Sequence, residues 1–403
     1  MEAWAVCMIP RMLVITDVDL RSDSRGAGRT LLNLLHQFPA DRIVAITTAD
    51  FQEPDREMGF TLLDVPYPRW LHKLERLRPV LGDPHALWQY AVPVPHASRI
   101  RTFAPELILL VPSGSGALVL GMRVARALKL PFVCYVMDDW FDSPLAHWPG
   151  DSAAAVGARL LRGAAGWLAV SDALLESMAM RAGTRPAHSA VVHNPVPIPT
   201  HWPPALDAPR TGPFSIAYAG SLFPMHMDAV MAVAESAARL RTSGTPVRFT
   251  LYTDHKFWGN NAATWTALGV ENGGLLPYEQ LHERLQDHDL LLVASSFRAD
   301  QAQISRASLQ TKVTDYMLTG RPILACGPAY AASNQFLRQH ACALFAEDPA
   351  PDAIDAALHT AIANRVANAG LARRAFEIVV RDHSGPAVAE RMAEVLRAAI
   401  TAR

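Results

Sequence analysis

The sequence is poor in cysteine, and its cysteines do not form the pattern of a metal centre. Cys7, Cys134, Cys326 and Cys342 are scattered along 403 residues without the spacing of metal ligands. Cys134 and Cys326 lie in apolar, strand-like runs, where the reduced cysteines of cytoplasmic proteins are common. The pattern argues against a zinc site and predicts a cytoplasmic protein with reduced cysteines in its core.

Long apolar runs and an excess of charge are also absent. The best membrane-spanning candidate, around Leu107 to Val111, is broken by Pro112-Ser113-Gly114, and no run reaches the roughly 18 residues that a bilayer requires. The formal net charge of -1 excludes a general basic field, so we expect no nucleic-acid partner. Residues 1–10 lack the basic start and cleavage site of a secretory signal, and we interpret them as a disordered or misassigned leader.

Apolar residues, by contrast, make up 50% of the chain against 19% charged residues, which is typical of a well-packed globular protein. From Met12 onward, short β-branched runs alternate with segments of helical period. This alternation predicts parallel strands covered by helices on both faces, and the length predicts two such domains. We expect strands at Met12–Thr16, Ile43–Thr47, Thr61–Val65, Leu107–Val111, Phe132–Met137, Trp167–Val170 and Ala190–Val192, then at Phe214–Ala219, Arg248–Tyr252, Val270–Leu275, Asp289–Val293, Pro322–Cys326 and Ala343–Phe345.

A proline-rich stretch divides the chain. Seven prolines occur between Pro195 and Pro213, and this density prevents helix and sheet while stiffening the connection. We therefore predict an N-terminal domain at 12–194, a linker at 195–213, a C-terminal domain at 214–385 and a final helix at 386–403. Two doubly wound domains predict a ligand cleft at the carboxyl ends of their strands.

The segment 308–325 carries the clearest candidate site. We expect its helix to begin near Ser308, at the carboxyl end of a buried strand, where backbone N–H groups and the helix dipole favour a phosphate. Lys312 then lies one turn along and meets the same phosphates, while Asp315 accepts hydrogen bonds from two ribose hydroxyls. The alternative is an ordinary capped helix in which Lys312 and Asp315 form a surface pair.

Two glycine-containing turns also follow predicted strands. Gly220, followed by Ser221, permits close approach of a ligand to the backbone, although a plain turn glycine is the alternative. Gly26 and Gly28 follow the first strand but lack the third glycine and the acidic residue of a dinucleotide fingerprint. We expect a ligand-facing turn there, in which Arg25 or Arg29 either holds an anion or is simply solvated.

Polar side chains end two further strands. Asp138 and Asp139 are adjacent, so one of them is expected to have a raised pKa or to pair with a cation or hydroxyl. A metal site at this pair, or at Asp17-Val18-Asp19, is the less favoured alternative, because neither pair has a third ligand at suitable spacing. For His193, Asn194 and His226 a capping or packing role is the default.

Aromatic and basic residues are mixed between Tyr67 and Arg101. Such a mixture fits an interfacial surface toward lipid headgroups or an acceptor lid. An insertion packed on its own domain is the simpler alternative.

Together these motifs resemble the GT-B glycosyltransferases of family 4, especially bacterial enzymes of surface-polysaccharide assembly. The most specific block runs from Thr311-Lys312 through Gly320-Arg321-Pro322. The supporting blocks are Gly26-Ala27-Gly28-Arg29, Phe132 to Trp140, Val170-Ser171, His193-Asn194-Pro195 and Tyr218-Ala219-Gly220-Ser221.

The resemblance implies that the second domain binds a nucleoside diphosphate sugar and the first binds the acceptor, with the C-terminal helix returning to the first domain. It implies no metal or other cofactor and retention of the anomeric configuration. By resemblance Asp315 grips the ribose, Lys312 lies near the diphosphate, and Leu276-Pro277-Tyr278 contacts the base. The implied catalytic residues are Asp138 and Lys312; the implied donor-binding residues are Gly220, Ser221, Pro277, Tyr278, Ser308, Thr311, Lys312 and Asp315; those for the acceptor are Gly26, Gly28 and Arg29.

The sequence departs from the family pattern at three places. The first acid of the paired-glutamate motif falls at Ala307, a first-domain histidine falls at Met137, and the usual basic pair is replaced by Met225-His226-Met227. We expect a retaining, metal-independent glycosyltransferase acting on a glycan or lipid-linked acceptor, with possible contact to the inner face of the membrane. The alternatives are a non-catalytic nucleotide-sugar-binding subunit and a nucleotide-sugar epimerase.

Overall fold

The computed structural model describes residues 9–21, 26–48, 58–65, 68–77, 83–139, 153–197 and 212–401. The chain forms two compact units, one comprising residues 1–195 and 385–403 and the other residues 196–384. Cys7, Arg25, Tyr67 and Trp140 lie outside the described residues, as does most of the proline-rich stretch, 198–211.

The first unit contains a parallel sheet of seven strands among its described residues, in the order β3-β2-β1-β4-β5-β6-β7. Every residue of β1, β2 and β4 is buried, as expected for strands covered by helices on both faces. The strands are β1 (Met12–Thr16), β2 (Ile43–Thr47), β3 (Thr61–Asp64), β4 (Leu107–Val111), β5 (Phe132–Val136), β6 (Gly166–Ala169) and β7 (Ser189–Val191). The α-helices are α1 (Ala27–Leu35), α2 (Pro84–Ala91), α3 (Ala97–Phe103), α4 (Ser115–Leu128), α5 (Ala153–Gly163) and α6 (Asp172–Ala182), with 3₁₀ helices at Ala40–Arg42 and Arg69–Leu77.

The second unit contains a parallel sheet of six strands among its described residues, in the order β10-β9-β8-β11-β12-β13. The strands are β8 (Phe214–Ala219), β9 (Val247–Tyr252), β10 (Glu271–Asn272), β11 (Leu290–Ala294), β12 (Ile323–Cys326) and β13 (Leu344–Ala346). The helices are α7 (Pro224–Thr242), α8 (His255–Gly259), α9 (Ala262–Ala267), α10 (Tyr278–Leu285), α11 (Ala302–Ala307), α12 (Lys312–Thr319), α13 (Ala332–Gln339), α14 (Pro351–Ala363) and α15 (Arg365–His383), with a 3₁₀ helix at Ala299–Gln301.

The last helix, α16 (Gly385–Thr401), packs on β5, β6 and β7 of the first unit. Gly166 permits this contact, because a Cβ atom at that position would lie 2.8 Å from Cγ1 of Val395. The predicted return of the C-terminal helix to the N-terminal domain is therefore confirmed, as is the prediction of two parallel α/β sheets.

Two predicted elements are wrong. Of the strand expected at Val270–Leu275, only Glu271–Asn272 pairs with β9. The strand ends because the ring of Tyr252 occupies the side-chain position of Gly273, and Gly274 then takes φ +69°. All the other strands begin and end within one residue of the predicted bounds.

The helix expected from Ser308 is the second error. Instead α11 ends at Ala307, Ser308 is extended with ψ 106°, and α12 begins only at Lys312. Leu309 and Gln310 are both buried, so the chain turns inward between the two helices. Lys312 is therefore the first residue of α12 and not one turn along it.

In both sheets the chain order reverses beside the first strand of the unit. β1 lies between β2 and β4, and β8 lies between β9 and β11. Ligands of open parallel sheets bind at the carboxyl edge beside such a reversal. Within the described part of the chain, no helix has the length and apolar character needed to cross a membrane.

Candidate functional site

The ammonium group of Lys312 lies at the carboxyl end of β8. Its Nζ atom is 3.9 Å from the centroid of the Tyr218 ring and would lie 2.7 Å from a Cβ atom at Gly220. Although the residue as a whole is half-buried, Nζ is buried and has no hydrogen-bond partner among the described residues. A cation held only against an aromatic face suits an anionic ligand.

Two tyrosines fix the turn that Lys312 contacts. The Tyr316 hydroxyl accepts a hydrogen bond from Ala219 N at 2.8 Å and lies 3.3 Å from Ala219 O. The Tyr218 hydroxyl donates to Ser221 O at 2.8 Å. Gly220, between these anchors, has φ +136°, a conformation that favours glycine. The structure thus brings together Gly220, Ser221 and Lys312, three of the residues expected to bind the donor.

Burial lowers the pKa of Lys312 from its ordinary value of 10.5 to about 7. Between pH 7 and 10.5 the unfolded chain therefore binds more protons here than the folded chain. As a result, burial of Lys312 destabilises the folded protein fully below pH 7, and this destabilisation disappears as the pH rises to 10.5. The affinity for an anion has the opposite dependence on pH and falls as the pH rises, because a phosphate favours the charged ammonium.

We predict that nucleoside diphosphate affinity falls as the pH rises above 7 and that binding takes up a proton near pH 8. Calorimetry of UDP binding in two buffers of different ionisation enthalpy measures this uptake. Because other groups also titrate, the Lys312→Met variant serves as the control and should lose most of the uptake. Equal uptake in the variant and the wild type would contradict the assignment to Lys312.

His226 does not add a second positive charge beside Lys312. Its Nδ1 atom is 2.9 Å from Ala294 O, and a carbonyl only accepts, so Nδ1 carries the proton. Burial, together with the charge of Lys312, lowers the pKa of His226 to about 3. The imidazole is therefore neutral at physiological pH.

Gln310 is a buried polar residue at this edge that the sequence analysis missed. Its Nε2 atom donates to Ala294 O at 2.9 Å and to Ser295 Oγ at 3.1 Å, so Gln310 and His226 share one carbonyl. The backbone oxygen of Gln310 accepts from Val313 N at 3.0 Å, which sets the start of α12. The only signal in the sequence is a glutamine between Leu309 and Thr311.

Asp315 and Tyr278 form a hydrogen-bonded pair. The Tyr278 hydroxyl donates to Asp315 Oδ1 at 2.9 Å, since Tyr278 begins α10 and this helix packs against α12. The sequence assigned the two residues to the base and the ribose separately. Pro277, at the N-terminal end of α10, is exposed beside them.

We predict that Asp315→Asn weakens nucleoside diphosphate binding roughly tenfold, because a charged acceptor for hydroxyls is lost. Tyr278→Phe should have a smaller effect, about threefold, since the carboxylate keeps its charge and loses only the hydrogen bond that helps to orient it. Calorimetric titration with UDP measures both effects. Asp352→Asn, at an exposed position in α14, is the matched control, and an unchanged affinity in Asp315→Asn would contradict the ribose role.

Ser308, Thr311 and Ala307 lie around the start of α12. Ser308 follows the last residue of α11 and donates its N–H to Ile304 O at 2.9 Å, so it does not begin α12 as expected. Thr311 is the residue immediately before α12. Ala307 is buried at the end of α11.

In the first unit, Asp139 pairs with a cation and a hydroxyl. Its Oδ2 atom lies 3.2 Å from Arg181 Nη2 and 3.3 Å from Ser177 Oγ. Asp138 follows β5 and is half-buried. Asp17 accepts hydrogen bonds from Ser113 N at 2.6 Å and Ser113 Oγ at 3.1 Å. No group of three potential metal-ligating side chains occurs in the described ranges.

The first helix of this unit begins at the glycine turn identified from the sequence. Gly26 has φ +55° and precedes α1, while Gly28 is buried and Arg29 half-buried in the first turn. Later in α1, Asn33 Nδ2 donates to Asn194 Oδ1 at 3.0 Å. This hydrogen bond connects the glycine-turn helix to the segment that follows β7.

The comparisons with known proteins cover both units. Residues 24–198 match the profile of the family described as Glycosyltransferase Family 4. The chain is similar to HepE of Anabaena, solved in complex with UDP, with a TM-score of 0.67 and 16% identity over 96% of this chain and 99% of that chain. It is also similar to WaaG, a glycosyltransferase involved in lipopolysaccharide biosynthesis, with a TM-score of 0.60 and 13% identity over 96% and 99%.

A third similar structure is the α,α-trehalose 6-phosphate synthase of Burkholderia multivorans. Its TM-score is 0.66, with 11% identity over 98% of each chain. At these identities the structural likenesses establish the fold. No curated protein matches the sequence.

Proposed function

We propose that this chain, which has the GT-B fold and matches the Glycosyltransferase Family 4 profile over residues 24–198, transfers a sugar from a nucleoside diphosphate sugar to a glycan or lipid-linked acceptor. The proposed setting is the synthesis of a surface polysaccharide or glycoconjugate in the cytoplasm. Enzymes of this family use nucleotide sugars, retain the anomeric configuration and generally need no metal.

The observation that carries the proposal is the unpartnered ammonium of Lys312 beside Gly220. Gly220 has no side chain that would keep an anion away from the turn. An anion that approaches the turn meets Lys312, the first residue of α12, and the positive end of the α12 helix dipole. Two phosphates are the natural ligand for this arrangement. We propose that the diphosphate draws the flexible Lys312 side chain away from the Tyr218 ring.

Lys312 then acts on the leaving group. When the bond between the sugar and the nucleoside diphosphate breaks, negative charge develops on the phosphate oxygen, and a nearby ammonium stabilises that charge more strongly than it stabilises the bound donor. This arrangement supports catalysis without a metal. Asp315, oriented by Tyr278, is proposed to hold the ribose, and Pro277 to contact the base.

The acceptor is proposed to bind the first unit. Gly26, Gly28 and Arg29 lie where α1 begins, beside the chain reversal at β1, and Asp138 follows β5 in the same sheet. Asp138 is half-buried and lies at the carboxyl end of β5, and we assign this carboxylate to the reacting hydroxyl. Its role is to hold that hydroxyl or accept its proton.

Turnover of radiolabelled nucleotide sugars, in the presence of EDTA, tests the function. A thermal-shift screen of UDP, GDP, dTDP and ADP sugars first selects the donor, and a total lipid and glycan extract serves as the acceptor. Transfer of label to the extract is the expected result. Isomerisation of the donor would indicate an epimerase, and nucleotide-sugar binding with neither reaction would indicate a binding subunit.

We also propose that the first unit contacts an anionic membrane through an aromatic and basic patch. The patch consists of Trp70, Lys73, Arg76 and Leu77 on the 3₁₀ helix Arg69–Leu77 and of Leu87 and Tyr90 on α2. Trp70 is 54% exposed and Tyr90 56% exposed, while α2 contacts the 3₁₀ helix. Aromatic side chains at an exposed surface beside cations suit the headgroup region of a bilayer.

We predict that the chain sediments with phosphatidylglycerol vesicles and less with phosphatidylcholine vesicles. A variant carrying Trp70→Ser, Lys73→Glu and Arg76→Glu should lose binding, because both the apolar and the cationic contributions are removed. Met180→Ser, at a residue 78% exposed on α6, is the matched control. Equal sedimentation of the triple variant and the wild type would exclude the patch as the contact.

A further inference from the structure

Gln310 is held in one orientation by the carbonyl group of Ala294. A backbone carbonyl accepts hydrogen bonds and never donates, so the nitrogen of the Gln310 side chain must face Ala294 O, as the distance of 2.9 Å shows. The amide oxygen, Oε1, therefore faces another direction. Oε1 is buried and has no hydrogen-bond partner among the described residues. The whole residue is only 7% exposed.

An unpartnered buried amide oxygen destabilises the protein, typically by more than a made hydrogen bond stabilises it. The surroundings of Gln310 do not relieve this cost. Ser295 Oγ and Ala294 O are both engaged with Nε2, and Ser333 Oγ receives the backbone N–H of Gln310 at 3.3 Å. The oxygen thus remains available as an acceptor.

The polarity of this atom restricts what it can bind. A phosphate oxygen carries no proton at neutral pH and would be repelled by an amide oxygen, so Oε1 does not suit the diphosphate. A group that donates, such as an uncharged hydroxyl, is required. Near it, the neutral His226 shares Ala294 O and adds no charge.

Two neighbouring subsites that prefer different ligand groups, an anion and a hydroxyl, therefore lie at the carboxyl ends of β8 and β11. On one side, Lys312 at Gly220 suits an anion. On the other, two residues earlier in the chain, the Gln310 amide oxygen suits a hydroxyl. A nucleoside diphosphate sugar has this composition, with a hydroxyl-rich ring attached directly to the diphosphate.

We propose that Gln310 Oε1 accepts a hydrogen bond from a hydroxyl of the donor sugar and so contributes to the choice of sugar. The inference rests on the proposed function, since it needs a nucleotide sugar at Lys312. Gln310 lies between α11 and α12, two residues before Lys312, so the sugar attached to a diphosphate at Lys312 is proposed to meet a side chain that Ala294 O already orients.

The experiment compares the affinity for a nucleotide sugar with that for the bare nucleotide. The probes are UDP and UDP-glucose, or the diphosphate and sugar selected by the donor screen, titrated into the wild type and into Gln310→Met. This substitution keeps the length of the side chain but removes its polar atoms. We expect the sugar nucleotide to bind roughly fivefold to tenfold more weakly to the variant, the loss of one hydrogen bond, and the bare diphosphate to bind equally to both.

Two controls keep this result interpretable. Gln339→Met, at an exposed position near the end of α13, should change neither affinity. Monodeoxy forms of the donor sugar should bind the wild type more weakly at one ring position, and at that position the deoxy sugar should bind wild type and Gln310→Met alike. This comparison needs no further variant.

The outcomes separate the inference from the function on which it rests. An unchanged affinity of Gln310→Met for the sugar nucleotide overturns the role of Gln310 while leaving the transferase proposal intact. An equal loss for the bare diphosphate and the sugar nucleotide, with a lowered melting temperature, overturns it in favour of a structural role. If no nucleoside diphosphate binds the wild type, the proposed function itself fails.

Discussion

Replacing Lys312 by alanine is expected to lower sugar transfer by about 100-fold or more, the magnitude found when one charge-stabilising group is removed from an active site. Stability should not fall in parallel. The ammonium of Lys312 is buried with no hydrogen-bond partner in the described chain, and removing such a group relieves a desolvation cost. We therefore expect the melting temperature of Lys312→Ala to be unchanged or higher.

Initial rates with the selected donor, together with thermal denaturation, measure this divergence. Lys256→Ala, at an exposed lysine of α8 in the same unit, is the control and should transfer sugar at the wild-type rate. Lys312→Arg should remain impaired, because a planar guanidinium replaces the compact ammonium that lies 3.9 Å from the centroid of the Tyr218 ring. Wild-type transfer by Lys312→Ala would remove Lys312 from the mechanism.

Replacing Gly220 by alanine is expected to reduce both donor binding and stability. With φ +136°, an alanine is strained, at a cost of about 1–3 kcal/mol. In addition, the new methyl group would lie 2.7 Å from Lys312 Nζ, so the ammonium must leave its position. We expect nucleoside diphosphate affinity to fall about tenfold or more, since Lys312 and the turn are displaced together.

A substitution at Gly244 separates the effect of backbone strain from that of the steric clash with Lys312. Gly244 has φ +92° but nothing lies within 4 Å of its Cβ position, so Gly244→Ala should lower the free energy of unfolding without changing nucleotide affinity. The double variant Gly220→Ala, Lys312→Ala should be more stable than the sum of the single changes implies, because the collision is absent. Strict additivity in urea denaturation would show that the two residues are not in contact.

Most of the fold could be predicted from the chain because buried parallel strands are recognisable locally. The runs Met12–Thr16 and Leu107–Val111 are apolar throughout, and both became strands with every residue buried. Gly320 ends α12 in the left-handed conformation with φ +68°, which a glycine before Arg321-Pro322 predicts. These features depend only on neighbouring residues.

The predictions failed where residues that are distant in the sequence determine the local structure. Nothing near Gly273 in the sequence indicates that the Tyr252 ring fills its side-chain position, so the strand at Val270–Leu275 was overestimated. The run from Ser308 to Lys312 is compatible with a helix. The helix is interrupted there because Gln310 forms hydrogen bonds with Ala294 O and Ser333 Oγ, 16 and 23 residues away.

The candidate site divides in the same way. The identities of Gly220, Lys312 and Asp315 as functional candidates came from local motifs, since a glycine turn after a strand and polar residues at a helix start are visible in the sequence. Their geometry came from the sheet. Parallel pairing of β8 with β11 places residues 218–226, 294 and 310–316 at one edge, although almost 100 residues separate them.

The sequence by itself therefore determined the two α/β units and most of their strands and indicated the Lys312 segment as a candidate site, because composition and spacing act over a few residues. Only the tertiary structure decided that the Lys312 ammonium is buried against Tyr218, that His226 is neutral and that Gln310 faces inward. The physical reason is that burial and hydrogen-bond partners, which set pKa values and side-chain orientation, are supplied by other strands and helices.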